Sequence, residues 1–191
     1  MAKDMTEIRW HGRGGQGAKT AATMVAEVAL EEGKYSQGFP EYGPERMGAP
    51  IRGYTRIATE PIRLHCPITA PDVVVILDPS LIGAEDMADG LKPDGAVIVN
   101  TNESPAVIRK KLGIAHGKVY TLDATKIAIE TIGRPIPNTP MIGALIRVSG
   151  FVKLETVFHD IEKKFLKKLG ERVVQGNINA VKRAHEEVQS E

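Results

Sequence analysis

The sequence lacks the features that mark several large classes of protein. It contains a single cysteine, Cys66, among 191 residues. One cysteine cannot form an internal disulfide, and an iron–sulfur cluster normally needs four thiolates. The formal net charge is only +1, so bulk charge gives no reason to expect nucleic-acid binding. A disulfide scaffold, an iron–sulfur protein that holds its cluster alone and a charge-driven nucleic-acid binder are therefore disfavoured.

Long hydrophobic runs are also missing. The longest, residues 73–77, is far shorter than the roughly 20 apolar residues that a membrane-spanning helix needs. Residues 1–7 are charged and lack the apolar core of a signal peptide. We therefore expect a cytoplasmic protein without a membrane partner.

Signatures of acid–base, nucleophilic or metal catalysis are not evident. There is no Gly-x-Ser-x-Gly nucleophile elbow and no convincing acid–base pair. His65 and Cys66 are adjacent metal-ligand types, but no second pair follows at zinc spacing. His11 ends a predicted strand, and a structural role is the simpler interpretation. We predict no catalytic residue and no metal ligand in this chain.

Strand and helix patterns alternate along the chain, and hydrophobic residues make up 42% of it. Strands are predicted at residues 7–11, 51–58, 72–77, 96–99 and 118–122, and helices at 15–32, 81–91, 104–112 and 124–132. Residues 62–66 are predicted to pair with 51–58 as a hairpin. This alternation predicts a three-layer α/β/α fold with a mainly parallel or mixed sheet. Residues 154–169 and 171–188 are amphipathic, so we predict one domain, 1–191, with a helical extension from about residue 140.

The glycine-rich segment at residues 12–17, Gly-Arg-Gly-Gly-Gln-Gly, is the most informative motif. It lies between a predicted strand and a predicted helix. Glycines let backbone N–H groups approach a ligand, and a helix N-terminus carries partial positive charge. The pattern therefore predicts an anion or phosphate site. The alternative is that the glycines only permit a tight turn and close helix–sheet packing.

Two nucleotide-binding interpretations of the same motif are weak. Gly12, Gly14 and Gly17 satisfy G-x-G-x-x-G, but the predicted second strand near residues 34–37 lacks the acidic residue that a dinucleotide site requires. Ala18 separates Gly17 from the lysine that a P-loop needs directly after its last glycine.

Other candidate ligand-binding residues surround the motif. Arg13, Lys19, Arg46 and Arg52 could provide positive charge, although each could equally be a solvated surface residue. Residues 37–50 hold three prolines and three glycines, and loops of this length are often functional. Three polar residues follow predicted strands, where open α/β sheets bind ligands: Asp78, Asn100 and Asp123. For Asn100 and Asp123 we favour helix N-capping.

The sequence resembles the gamma subunits of the 2-oxoacid:ferredoxin oxidoreductases, most closely those of the pyruvate:ferredoxin oxidoreductases (pyruvate synthases). The resemblance covers nearly the whole chain and is carried by residues 12–21, 39–46, 48–50, 138–145 and 177–188. Met47 departs from the family, which often has a second arginine there. That departure puts an anion-binding role of position 47 in doubt.

The resemblance implies a subunit of a heteromeric enzyme that converts pyruvate, coenzyme A and oxidised ferredoxin to acetyl-CoA, CO2 and reduced ferredoxin. Its partners are then alpha, beta and delta subunits, with thiamine diphosphate and [4Fe-4S] clusters in those partners. The isolated chain is expected to be inactive. The residues expected to bind the coenzyme A phosphates are Gly12, Arg13, Gly14, Gly15, Gln16, Gly17, Lys19 and Arg46.

Two other functions stay open at this point. The chain could be a purely structural assembly subunit whose interface anchors include Phe39 and Tyr42. A stand-alone NAD(P)-dependent oxidoreductase is the weaker alternative, because of the missing acidic residue.

Overall fold

The computed structural model describes residues 5–41 and 48–191. The strands are β1 (Met5–Arg13), β2 (Tyr35–Pro40), β3 (Pro50–Ala58), β4 (Val73–Ile76), β5 (Ala96–Asn100), β6 (Lys118–Leu122) and β7 (Gln189–Ser190). The helices are α1 (Ala18–Glu31), α2 (Pro105–Leu112), α3 (Ala124–Ile132), α4 (Asn138–Ser149), α5 (Leu154–Leu169) and α6 (Glu171–Glu187). Nearly all of these elements were predicted from the sequence.

The strands form one mixed sheet in the order β2-β3-β1-β4-β5-β6-β7. The pairs β1–β4, β4–β5 and β5–β6 are parallel. The pairs β1–β3, β2–β3 and β6–β7 are antiparallel. The predicted three-layer α/β/α fold is confirmed, and the sheet is mixed.

One face of the sheet is covered by α1 and by the C-terminal helices. Three buried alanines of α1, Ala18, Ala22 and Ala26, lie against Gly38 of β2 and Gly53 of β3, and their small side chains allow close approach of the helix. A Cβ atom on Gly38 would lie 2.7 Å from the carbonyl oxygen of Ala22. Buried Trp10 donates its indole N–H to Thr55 Oγ1 at 3.0 Å, and Thr55 donates in turn to Ala22 O. Small residues, together with the two hydrogen bonds from Trp10 to Thr55 and from Thr55 to α1, therefore set the distance between α1 and the sheet.

Helix α4 lies in the centre of the same layer. Its residues from Thr139 to Ile146 are buried, and α4 packs in one hydrophobic cluster with β1, α1 and the last two helices. Gly143 allows α6 to approach, because a Cβ atom there would overlap with the carbonyl oxygen of Val181. None of the helices in the described ranges is long and apolar enough to cross a membrane.

The opposite face is covered by α2 and by an irregular segment after β4. The predicted helix at residues 81–91 is wrong, since only a short 3-10 turn forms, at Pro79–Leu81. The buried guanidinium of Arg9 donates to Met87 O at 3.0 Å and to Asp89 O at 2.6 Å. A regular helix would use such carbonyl groups for its own hydrogen bonds. The buried cation thus favours irregular backbone here.

The predicted hairpin strand at residues 62–66 is also wrong. Strand β3 pairs with β1 on one side and with β2 on the other. Neither edge of β3 is therefore free for a further strand. The segment instead lies against the sheet, where Arg56 Nη2 donates to Cys66 O at 2.8 Å.

Candidate functional site

The glycine loop connects the carboxyl end of β1 to α1. The backbone of Gly14 donates to Ala49 O at 3.0 Å and accepts from Gly48 N at 3.3 Å. Gly15 and Gly17 have φ values of +99° and +84°, which residues with a side chain rarely adopt. A Cβ atom at Gly17 would also lie 2.5 Å from Asn138 Nδ2. Backbone conformation and the contact with α4 therefore both require glycine at position 17.

The loop presents free backbone donors. Within the part of the chain that the structure describes, the N–H groups of Gly15, Gly17, Ala18 and Lys19 have no hydrogen-bond acceptor. No acidic residue lies in the first turn of α1. Unpaired N–H groups at a helix N-terminus attract anions. The geometry therefore suits a phosphate group.

A cleft of about 480 Å³ opens beside the loop. One wall is formed by Gly14, Gly15, Gly17, Ala18, Lys19 and Thr20, and the other by Pro40, Glu41, Ile51 and Arg52. The side chains of Lys19 and Thr20 are exposed. Lys19 therefore brings a positive charge to the wall that carries the free N–H groups.

The opposite wall carries a charged network. Arg52 Nη2 donates to Glu85 Oε2 at 3.0 Å, and its Nε lies 3.7 Å from Glu41 Oε2. The hydroxyl of Tyr54 donates to the same Glu41 oxygen at 3.1 Å. Burial, followed by the charge of Glu41, raises the pKa of Tyr54. The positive charge of Arg52 is thus shared between two carboxylates.

Two of the predicted ligand residues point elsewhere. Arg13 lies 3.2 Å from Asp78 through its Nε, and Gln16 donates to Asp78 at 2.7 Å. Neither residue lines the cleft. Gly12 is buried within β1 and does not line it either.

Of the predicted residues that the structure describes, Gly14, Gly15, Gly17, Lys19 and Arg52 line the cleft, whereas Gly12, Arg13 and Gln16 do not. Arg46, together with Tyr42 and Met47, lies outside the described residues. Sequence reasoning did not single out Thr20 or Glu41. The sequence did offer an indication of each, because Thr20 directly follows Lys19 and Glu41 lies in the proline- and glycine-rich segment 37–50.

The polar residues near the ends of the strands have structural partners. His11 is buried and accepts a hydrogen bond at Nε2 from Arg9 Nε at 3.1 Å. Burial, assisted by the charges of Arg9 and Arg52, lowers the pKa of His11 to about 3. Asp123 caps α3 as predicted. Asn100 does not cap α2, whose N-cap is Ser104, and instead accepts from Thr125 N in α3.

The described residues contain no group of three or more His, Cys, Asp or Glu side chains that could hold a metal ion. Among the residues that the structure describes, the cleft walls hold a lysine, an arginine, a carboxylate and free N–H groups. Such an arrangement can bind and orient an anionic ligand.

The chain is similar to known proteins over almost its whole length. Residues 7–187 match the family model of pyruvate ferredoxin/flavodoxin oxidoreductases. Pyruvate synthase subunit PorC of Thermotoga maritima is 51% identical over 188 residues, covering 98% of this chain and 97% of that protein. The common gamma subunit of the pyruvate/ketoisovalerate oxidoreductases of Pyrococcus abyssi is 50% identical, covering 97% and 98% of the two chains.

A solved structure extends the likeness to three dimensions. The crystal structure of pyruvate oxidoreductase subunit PORC from Thermotoga maritima superposes with a TM-score of 0.88 at 47% identity. The superposition covers 98% of this chain and 99% of that one. The resemblance inferred from the sequence is confirmed: the chain belongs to the pyruvate ferredoxin/flavodoxin oxidoreductase family and corresponds in length and fold to its gamma subunits.

Proposed function

We propose that this chain is the gamma subunit of a heteromeric pyruvate:ferredoxin oxidoreductase and supplies the phosphate-binding part of its coenzyme A site. The complete enzyme converts pyruvate, coenzyme A and oxidised ferredoxin to acetyl-CoA, CO2 and reduced ferredoxin. The observation that carries the coenzyme A proposal is the cleft at the N-terminus of α1, with its free N–H groups and Lys19.

The chemistry of coenzyme A fits this cleft. The molecule carries a pyrophosphate and a ribose phosphate, and both are anions that backbone N–H groups and a lysine can bind. Glu41 on the opposite wall repels phosphate, so the anion is expected on the glycine side. The chain then contributes binding and positioning, which raises the effective concentration of the thiol at a reaction centre elsewhere.

The reaction centre itself is proposed to lie in partner subunits of the alpha, beta and delta types. We place [4Fe-4S] clusters there, because a single cysteine cannot ligate such a cluster. Thiamine diphosphate is proposed to lie there too, because the chain lacks the Gly-Asp-Gly…Asn thiamine motif. Ferredoxin is proposed to interact with the assembled complex.

The decisive experiment uses Lys19→Ala in the complex reconstituted from all subunits. We expect the KM for coenzyme A to rise about tenfold, the value of one charge-assisted hydrogen bond, with kcat at saturating coenzyme A unchanged. The matched control is Lys126→Ala, because Lys126 is also exposed and also lies in the first turn of a helix. Equal KM values for Lys19→Ala and the wild type would refute the phosphate site.

A purely structural subunit is the second candidate. It is favoured by one observation, that Arg13 and Gln16 are engaged with Asp78 rather than directed into the cleft. On this hypothesis, variants of the loop lose assembly before they lose affinity for coenzyme A. Gel filtration of the reconstituted complex, run beside the KM measurement, separates the two candidates.

The stand-alone dinucleotide enzyme is disfavoured by topology. In a dinucleotide-binding fold, the strand after the first helix lies beside the first strand. Here β2 is separated from β1 by the antiparallel strand β3. An absence of any thermal shift with NAD(H) is the expected result.

Selection of the 2-oxoacid is proposed to lie outside this chain. The Pyrococcus abyssi relative is described as common to pyruvate and ketoisovalerate oxidoreductases, and the described cleft contains no feature that distinguishes one oxoacid from another. Reconstitution with either type of catalytic subunit is expected to give activity toward the oxoacid of that subunit. An oxoacid preference that followed this chain would contradict the proposal.

A further inference from the structure

The carboxylate of Asp78 lies behind the glycine loop, at the carboxyl end of β4. Its Oδ2 accepts from Gln16 Nε2 at 2.7 Å and lies 3.2 Å from Arg13 Nε. Its Oδ1 accepts from Ser80 N at 2.9 Å. Asp78 is 9% exposed, whereas the side chain of Arg13 is 35% exposed. One aspartate therefore holds two side chains of a loop that lies far from it in sequence.

Both loop residues have a second attachment. Gln16 Oε1 accepts from the backbone N–H of Arg13 at 2.7 Å, which closes the loop on itself. The guanidinium of Arg13 donates to Gly48 O and to Ser80 Oγ, each at 3.1 Å. The network thus connects the loop, the end of β4 and the residues that precede β3.

A loop this rich in glycine has many accessible conformations, and only a few of them direct its N–H groups to one point. Groups that bind or stabilise an anion act best when their geometry is set in advance. Burial, the largest single effect, raises the pKa of Asp78, but the hydrogen bonds from Ser80 and Gln16 and the charge of Arg13 together lower it below its ordinary value. The carboxylate is therefore ionised and available as an acceptor at neutral pH.

We infer that Asp78 is a positioning residue, which acts through Gln16 and Arg13 to hold the glycine loop in its ligand-binding conformation. The inference deepens the proposed coenzyme A site and rests on it for its kinetic consequence. It also gives Arg13 and Gln16 a role, because they support the loop and leave ligand contact to the backbone and Lys19.

The substitution Asp78→Asn tests the acceptor role at little change in volume. The asparagine amide keeps an oxygen that accepts from Ser80 N. Its NH2 group, however, then faces Gln16 Nε2 and Arg13 Nε, so these two donors lose their acceptor. The double substitution Asp78→Asn with Gln16→Glu reverses the direction of the central hydrogen bond. The carboxylate then stands at position 16, where it can also accept from Arg13 N.

Two measurements report separately on the conformation of the glycine loop and on the binding of coenzyme A. Hydrogen exchange, measured by mass spectrometry on the full chain, is expected to be about tenfold faster in Asp78→Asn at the amides of Arg13, Gly14 and Gln16. In the reconstituted complex, the KM for coenzyme A is expected to rise about tenfold with kcat unchanged. The double variant restores the hydrogen bond between positions 16 and 78 but not the contact of Arg13 Nε, so it is expected to reverse part of both changes.

The control is Asp123→Asn, which alters another strand-end aspartate whose carboxylate caps a helix. It is expected to change neither loop exchange nor the KM. Unchanged loop exchange in Asp78→Asn, or loop exchange in the double variant as fast as in Asp78→Asn, would overturn the inference. So would an unchanged KM in Asp78→Asn when Lys19→Ala raises it. If loop exchange behaves as expected but neither Asp78→Asn nor Lys19→Ala changes the KM, Asp78 still positions the loop and the coenzyme A proposal fails.

Discussion

Replacement of the buried His11 by glutamine is expected to change how stability depends on pH. His11 is 2% exposed and accepts from Arg9 Nε at 3.1 Å. Burial and the nearby charges of Arg9 and Arg52 lower its pKa from 6.5 to about 3. Glutamine keeps an acceptor oxygen for Arg9 but does not titrate, so His11→Gln isolates the contribution of the proton.

The sign and size follow from the two pKa values. The pKa is lowered on folding, so this group contributes stability that is fully present above pH 6.5 and is lost progressively as the pH falls toward 3. At about pH 5, His11 is protonated in the unfolded chain but not in the folded one, and this lowers the free energy of unfolding by about 2 kcal/mol. At about pH 8 this loss is close to zero, because His11 is then unprotonated in the unfolded chain as well.

Urea unfolding of the wild type and of His11→Gln at several pH values measures this difference. Between about pH 8 and pH 5 the wild type is expected to lose about 2 kcal/mol more than the variant. Carboxylates elsewhere titrate equally in both proteins and cancel in the comparison. Parallel pH profiles would refute the argument, because they would show that His11 is protonated as readily in the folded chain as in the unfolded one.

Three further substitutions test the packing of the helical layer. Thr55→Val removes the acceptor of the indole N–H of Trp10 and is expected to lower the free energy of unfolding by about 1–3 kcal/mol. Trp10 is the only tryptophan, so its fluorescence reports the change directly. Gly143→Ala forces a Cβ atom against Val181 O and is expected to cost about 2 kcal/mol or more in urea unfolding, whereas Ser149→Ala on the same helix should cost less. Glu32→Ala removes the acceptor at the start of α5 and is expected to cost about 1 kcal/mol, seen as a lower thermal midpoint.

The elements of the fold could be predicted because most of them carry a strong local pattern. The runs that became β4 and β5 are short, buried and almost entirely apolar, and β6 is a short run of residues typical of strands that is followed by Asp123. The order of the strands had no such local signal. Insertion of β3 between β2 and β1 is decided by tertiary pairing, and that pairing also excluded the predicted strand at residues 62–66.

The error at residues 81–91 has a similar origin. The apolar spacing there suits a helix, but the competing partner is Arg9, which lies 78 residues from Met87 in the chain. No pattern within the segment itself indicates that a buried guanidinium takes its carbonyl groups.

The position of the glycine loop between β1 and α1 could be predicted from the sequence, but the directions of its side chains could not, and its ligand-binding role stays a prediction. The glycine pattern, followed by a predicted helix, indicated where the loop lies in the chain. The positive φ values of Gly15 and Gly17 explain why glycine occurs at these two positions. The direction of Gln16 is set by Asp78, which is 62 residues away. The ligand role of Arg46 stays a prediction.

The face of the sheet opposite α1 is covered in two chemically different ways. Over β4 to β6 the cover is apolar and includes α2, whereas over β1 and β3 irregular backbone supplies carbonyl oxygens to Arg9 and Arg56. Where main chain makes the contact, the side chains of the covering segments are free to vary over evolutionary time. The two arginines have no such freedom, because an apolar replacement would leave several carbonyl groups without donors. Among homologues we therefore expect sequence drift in the covering segments and constancy in the two cations beneath them.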